Sequence, residues 1–102
     1  SPIVISTPLP TIADGSALGD VANQRKGISA TQHERTELTI RFNAAIQSHC
    51  SSLGIPCLNL DKDSIGTDGI VRPNLLNSDA QNHHYKRLAH ARLLLPKLRK
   101  VL

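Results

Sequence analysis

Apolar and polar positions change period several times along this chain, and each change marks an element. Ile3-Val4-Ile5 is an unbroken β-branched run, the pattern of a strand buried on both faces. Pro8 and Pro10 stop it, so a strand is predicted over about residues 3–7, in the interior of a larger sheet. From Pro8 to Ala30 no period holds, and the prolines, glycines and Asp-Gly-Ser of this stretch predict a long loop. A period near 3.6 then sets in. Leu38, Phe42, Ala45, Ile46, His49 and Leu53 recur at steps of three and four, which predicts an amphipathic helix. Thr31 and Glu34 fit a capping box at its start, and Gly54 suits the position just past its end. The helix is expected over residues 32–53, with His33 and His49 on its surface or rim.

A second apolar block, Ile55-Pro56-Cys57-Leu58-Asn59-Leu60, predicts a strand over about 55–60. Its proline falls at the start, where a missing donor is tolerated. Strand, long helix and strand in this order predict a parallel crossover unit and an α/β fold. The residues after each strand, from Thr7 and from Asp61 onward, would then share the edge where open parallel sheets keep their chemistry.

The stretch from Asp61 to Gly69 has the spacing of a calcium loop, but its fifth position is Ile65 and its twelfth is Arg72, neither an oxygen ligand of the required kind. Asp68-Gly69 reads instead as a turn, and Ile70-Val71 as a short extended piece ended by Pro73. A last helix is predicted over about 83–101, starting from Asn82 or His84. Its buried face would carry Tyr85, Leu88, Ala91, Leu94 or Leu95, Leu98 and Val101, with a kink or break at Pro96.

Bulk composition narrows the function classes. A length of 102 residues fits one domain. The net charge is +4, and much of the excess lies in Lys86, Arg87, Arg92, Lys97, Arg99 and Lys100. A basic helix meets phosphates or an anionic surface readily. However, Phe42 and Tyr85 are the only aromatic residues, too few for the stacking platforms of single-strand binders, so nucleic acid is not the expected partner. No stretch reaches the ~20 apolar residues of a membrane span. The absence of methionine suggests a processed chain or a piece of a longer one. Cys50 and Cys57 do not amount to a disulfide framework. They are expected as free thiols, able to pair only if the helix that holds Cys50 returns beside the strand that holds Cys57.

The chemically richest stretch is Leu75-Leu76-Asn77-Ser78-Asp79-Ala80-Gln81-Asn82-His83-His84-Tyr85. It sets an acid, an amide and two adjacent histidines just before the final helix, with His90 following. Histidine is tuned most easily to exchange protons near neutral pH, and a nearby carboxylate holds its ring in one tautomer. The plainer reading of the same residues is a solvated helix start capped by Asp79 or Asn82.

Taken together, the apolar strand ending in Ser-Thr-Pro-Leu-Pro, the helix carrying Arg41-Phe42-Asn43, the strand ending at Asp61, the Asp68-Gly69 turn and the acid–histidine segment before a terminal helix resemble the carboxyl-terminal half of the SGNH (GDSL-type) hydrolase superfamily. The resemblance spans most of the chain. It implies a flavodoxin-like α/β/α sandwich and cleavage of acyl or acetyl esters on small-molecule or carbohydrate substrates, by a serine nucleophile and without a cofactor. It further implies Asp79 as the orienting acid and His83 as the general base, with His84 as the alternative base. Asp79 and His83 are four positions apart, where the family has three. No Gly-Asp-Ser block occurs; Asp14-Gly15-Ser16 holds the same residue types in another order. The chain therefore resembles the acid–base half of such an enzyme, completed by a missing amino-terminal half or by another chain that extends the sheet. The alternative is a non-catalytic interaction module whose basic last helix binds a protein partner or an anionic surface.

Overall fold

In the computed structural model, which describes residues 2–14, 30–78 and 84–102, two short parallel strands lie at the centre. Strand β1 (Val4–Ile5) pairs with β2 (Cys57–Leu58), with Val4 opposite Cys57 and Ile5 opposite Leu58. Val4 N–H donates to the Pro56 carbonyl and Ser6 N–H to the Leu58 carbonyl, each at 3.0 Å. Helix α1 (Gln32–Leu53) joins the strands and packs on β2, completing the parallel crossover. The fold is thus a small α/β arrangement with helices against a two-stranded sheet.

The strands are shorter than the apolar runs predict. Ile5 is exposed, and among the described residues β1 pairs with β2 alone. Among the described residues both strands are edges, and the larger sheet expected from the sequence is not present. Beyond β1 and β2 the chain turns to side-chain hydrogen bonds instead of continuing the ladder. Leu60 N–H donates to Ser6 Oγ at 3.0 Å, and Thr7 bonds to a helix side chain.

The start and end of α1 are those the sequence predicts. Thr31 Oγ1 accepts the Glu34 amide at 3.0 Å, while the Glu34 carboxylate accepts the Thr31 amide, a reciprocal capping box. Gly54 closes the helix at φ 69°, the left-handed conformation that glycine adopts without a Cβ clash. The loop before the helix is pinned to its first turns. Gln32 N–H donates to Asp14 Oδ1, Gln32 Nε2 to the Pro10 carbonyl, and Arg35 Nη2 to the Ile12 carbonyl.

The buried face of α1 is not the one that its large apolar residues mark. Leu38 is 60% exposed and Phe42 56%, and Leu53 is exposed as well. Gln32, Thr36, Asn43 and Cys50 point inward instead. The physical reason is the sheet edge: the chain leaving β1 carries backbone groups that need polar partners, and the small, polar face of α1 supplies them.

After β2 come a single-turn helix, α2 (Asp61–Ser64), and a 3₁₀ turn (Pro73–Leu75). Between them Asp68-Gly69 forms the predicted turn: Gly66 N–H donates to the Ile70 carbonyl at 2.7 Å, and Gly69 sits at φ 82°. Ile65 and Val71 bridge antiparallel, so the predicted extended piece at Ile70-Val71 is partly realised.

Helix α3 (Arg87–Val101) starts later than predicted. Its N-cap is Lys86, with no side-chain cap; Asp79 and Asn82, offered as caps, lie outside the described residues. It runs through Pro96 as one helix, and the expected break does not occur. Its register also differs, since Ala89 and Leu93 pack on the core whereas Leu88, Leu95 and Val101 are exposed. The core consists of Leu9, Val71, Leu75 and Tyr85, flanked by Ile40, Ile65, Ala89 and Leu93. No helix among the described residues is long and apolar enough to cross a membrane.

Candidate active site

The carboxyl ends of β1 and β2 meet in a buried polar network. At its centre is Asn43, on the inward face of α1 and 2% exposed. Its side chain copies a strand: Thr7 N–H donates to Asn43 Oδ1 at 2.9 Å, and Asn43 Nδ2 donates to the Thr7 carbonyl at 2.8 Å. The same Nδ2 donates to Asp61 Oδ1 at 2.9 Å. One amide thus ties the end of β1 to the residue that follows β2. The expectation that Thr7 and Asp61 share one edge is met by this contact.

Asp61 is held at the exit of the second strand by its own local turn, its N–H donating to Asn59 Oδ1 at 2.9 Å. Partial burial raises its pKa above the usual carboxylate range, and the hydrogen bond from Asn43 offsets part of that rise. Among the network's side chains it is the carboxylate, able to accept a proton or to orient a neighbouring donor.

Ser64, one turn on, is buried. It donates to the Leu60 carbonyl at 2.6 Å, so its proton is committed to the backbone and it is not poised as a nucleophile. Its hydroxyl also meets the Tyr85 phenol. Burial pushes that phenol's pKa up. The neighbouring Ser64 and the bond from the Leu9 amide pull it partly back, and the nearby Asp61 charge adds to the rise. The phenol remains protonated at neutral pH, a structural hydrogen-bonding group.

Tyr85 links this network to the acid–histidine segment. Its Oη accepts the Leu9 amide at 2.8 Å. Its backbone bridges antiparallel to Leu76, and Lys86 N–H donates to the Leu75 carbonyl at 2.7 Å. Residues 77–84 therefore leave and return through a neck fixed against the end of β1. His84 is exposed at this neck. Asp79 and His83, the acid and the first base expected from sequence, lie outside the described residues, as do Asn82, Gly15 and Ser16. His90, the third member of the late histidine cluster, lies on α3 edge-on to the Tyr85 ring, with centroids 5.4 Å apart. Its Nε2 is buried without a hydrogen-bond partner among the described residues. His33 and His49 are on the exposed side of α1, as expected, with His33 Nδ1 3.6 Å from Glu37.

Sequence reasoning did not assign roles to Asn43 and Ser64. A signal for Asn43 was present: Thr36, Asn43 and Cys50 recur at steps of seven, a small-residue stripe beside the apolar one. Among the described residues no three His, Cys, Asp or Glu side chains gather as a metal site. In comparisons with known proteins, no family model, no curated protein and no solved structure matches the chain.

Proposed function

We propose that the protein is the carboxyl-terminal part of an SGNH-like serine ester hydrolase, a flavodoxin-like α/β/α sandwich that cleaves acyl or acetyl esters on small-molecule or carbohydrate substrates. The observation that carries this reading is the anchoring of the acid–histidine segment. Its neck is joined through Tyr85 to Leu9, beyond the carboxyl end of β1, the edge on which parallel sheets assemble their active sites.

In this reading His83, or His84 in its place, takes the proton of a serine hydroxyl as the serine attacks the ester carbonyl. It then returns that proton to the departing alcohol. Asp79 orients the imidazole and stabilises its charged form. The histidine contributes a factor of roughly 10²–10⁴. The serine and the oxyanion donors come from the missing amino-terminal half or from another chain. Strands added beyond β1 would cover Ile5, and a further layer would cover Leu38 and Phe42, which are exposed here. The test is hydrolysis of a short-chain nitrophenyl ester by the protein together with whatever coding sequence precedes Ser1. Residues 1–102 alone are expected to be inactive.

A second reading is supported by the same exposed apolar residues and by Arg87, Arg92, Arg99 and Lys100 on the surface of α3: a non-catalytic module that docks on a protein partner or an anionic surface. Steep loss of binding to anionic vesicles with added salt would favour it. Ester hydrolysis dependent on His83 or His84 would rule it out.

A further inference from the structure

Cys50 and Cys57 stand seven positions apart in sequence on two different elements. Cys50 is buried in the last turn of α1, and Cys57 is half-buried in β2, paired with Val4. The left-handed cap at Gly54 brings them together. Gly54 N–H donates to the Ser51 carbonyl at 3.2 Å and Ile55 N–H to the Cys50 carbonyl at 2.9 Å, so the chain reverses at once and β2 runs back along the helix. Burial pushes the Cys57 thiol up, and the neighbouring Cys50 adds to the rise. Both are free.

We propose that Cys50 and Cys57 form a redox-sensitive dithiol that a small disulfide oxidant such as glutathione disulfide converts to an intramolecular disulfide, stapling the end of α1 to β2. Cys57, the more accessible of the two, loses its proton and attacks one sulfur of the oxidant, releasing one glutathione thiol. Cys50 then loses its proton and attacks the Cys57 sulfur of the mixed disulfide, releasing the second. The two electrons pass to the oxidant, which leaves as two thiols. The intervening turn is fixed at both ends, with β2 running back along the helix end that carries Cys50. The bond would lock the helix that carries Asn43 to the strand that leads into Asp61, so the oxidised form holds the polar network in a more rigid frame.

The test is to reduce the folded protein, expose it to glutathione disulfide, block remaining thiols and digest with trypsin. No Lys or Arg lies between Arg41 and Lys62, so one peptide, residues 42–62, carries both cysteines. The expected product is that peptide lighter by two hydrogens and unalkylated, from a chain that stays monomeric on a non-reducing gel. Its thermal midpoint should rise by about 5 °C or more. In the Cys50→Ala variant, Cys57 should instead retain a glutathione adduct, because no second thiol displaces it. Two alkylated cysteines in the wild-type peptide, a persistent wild-type glutathione adduct, or chains linked to one another would each overturn the proposal.

Discussion

The Leu9 backbone amide donates to the Tyr85 phenol oxygen at 2.8 Å across 76 positions of sequence. Leu9 is 1% exposed, so this amide has no ready access to water and depends on the phenol for its acceptor. The loop after the first strand and the start of the last helical segment are thereby held as one unit.

Tyr85→Phe keeps the ring in the core but leaves the Leu9 amide unpaired. A buried donor without a partner costs about 1–3 kcal/mol. The variant should fold with a midpoint in urea lowered accordingly and an unchanged denaturant slope. A cost indistinguishable from zero would mean that the amide finds another acceptor and that Tyr85 does not anchor the loop.

Asn43→Ala removes three hydrogen bonds at once, two to Thr7 and one to Asp61. Some of the freed groups are partly solvated, so the loss should be about 2–3 kcal/mol rather than the sum of three buried bonds. Chemical denaturation measures it. Asn43→Asp should cost as much or more, since it places a second carboxylate against Asp61 and removes the donor to the Thr7 carbonyl.

The raised pKa of Asp61 gives a pH dependence whose sign is fixed. A carboxyl with a higher pKa in the folded state favours folding when protonated. That contribution is complete below the unfolded value of about 3.9 and is lost as pH rises through the folded value. Asp61→Asn should therefore be at least as stable as wild type at neutral pH, with the difference shrinking on acidification. Thermal unfolding of both proteins across this range measures it; a wild-type advantage that grows toward neutral pH would contradict the assignment.

Gly69 separates two causes of strain. A Cβ there would lie 2.6 Å from His33 Nε2, and the backbone φ is 82°. The imidazole is the far end of an exposed side chain and can swing away, whereas the backbone angle cannot relax so easily. Gly69→Ala should cost roughly 1–2 kcal/mol, mostly from the left-handed backbone. Adding His33→Ala should recover less than about 0.5 kcal/mol in a double-mutant cycle.

The crossover was legible because its signals are local. The Thr31–Glu34 capping box, Gly54 and the two apolar runs each act within a few residues. The helix faces were not legible, because burial is decided by what lies opposite. Phe42 and Leu38 obey the period of a core face, yet Asn43 faces inward, since the backbone at Thr7 requires hydrogen bonds that an apolar side chain cannot give. Leu88 and Leu95 on α3 are exposed for a similar reason: the helix is positioned by Tyr85, Ala89 and Leu93 against Leu9 and Leu75, not by its own apolar count. Asp61 and Tyr85 were each recognisable, one at a strand end and one on a predicted core face. Their common network depends on Ser64 and Asn43, which carry no motif.

The acid–histidine segment is the proposed acid–base corner of an ester hydrolase. Its most direct test is the nitrophenyl ester activity of the protein expressed with its preceding coding sequence, compared with His83→Ala, His84→Ala and Asp79→Asn versions. One histidine variant is expected to lose a factor of about 10²–10⁴ in kcat, with Asp79→Asn also impaired and all variants folded by circular dichroism. Full activity in both histidine variants would contradict it.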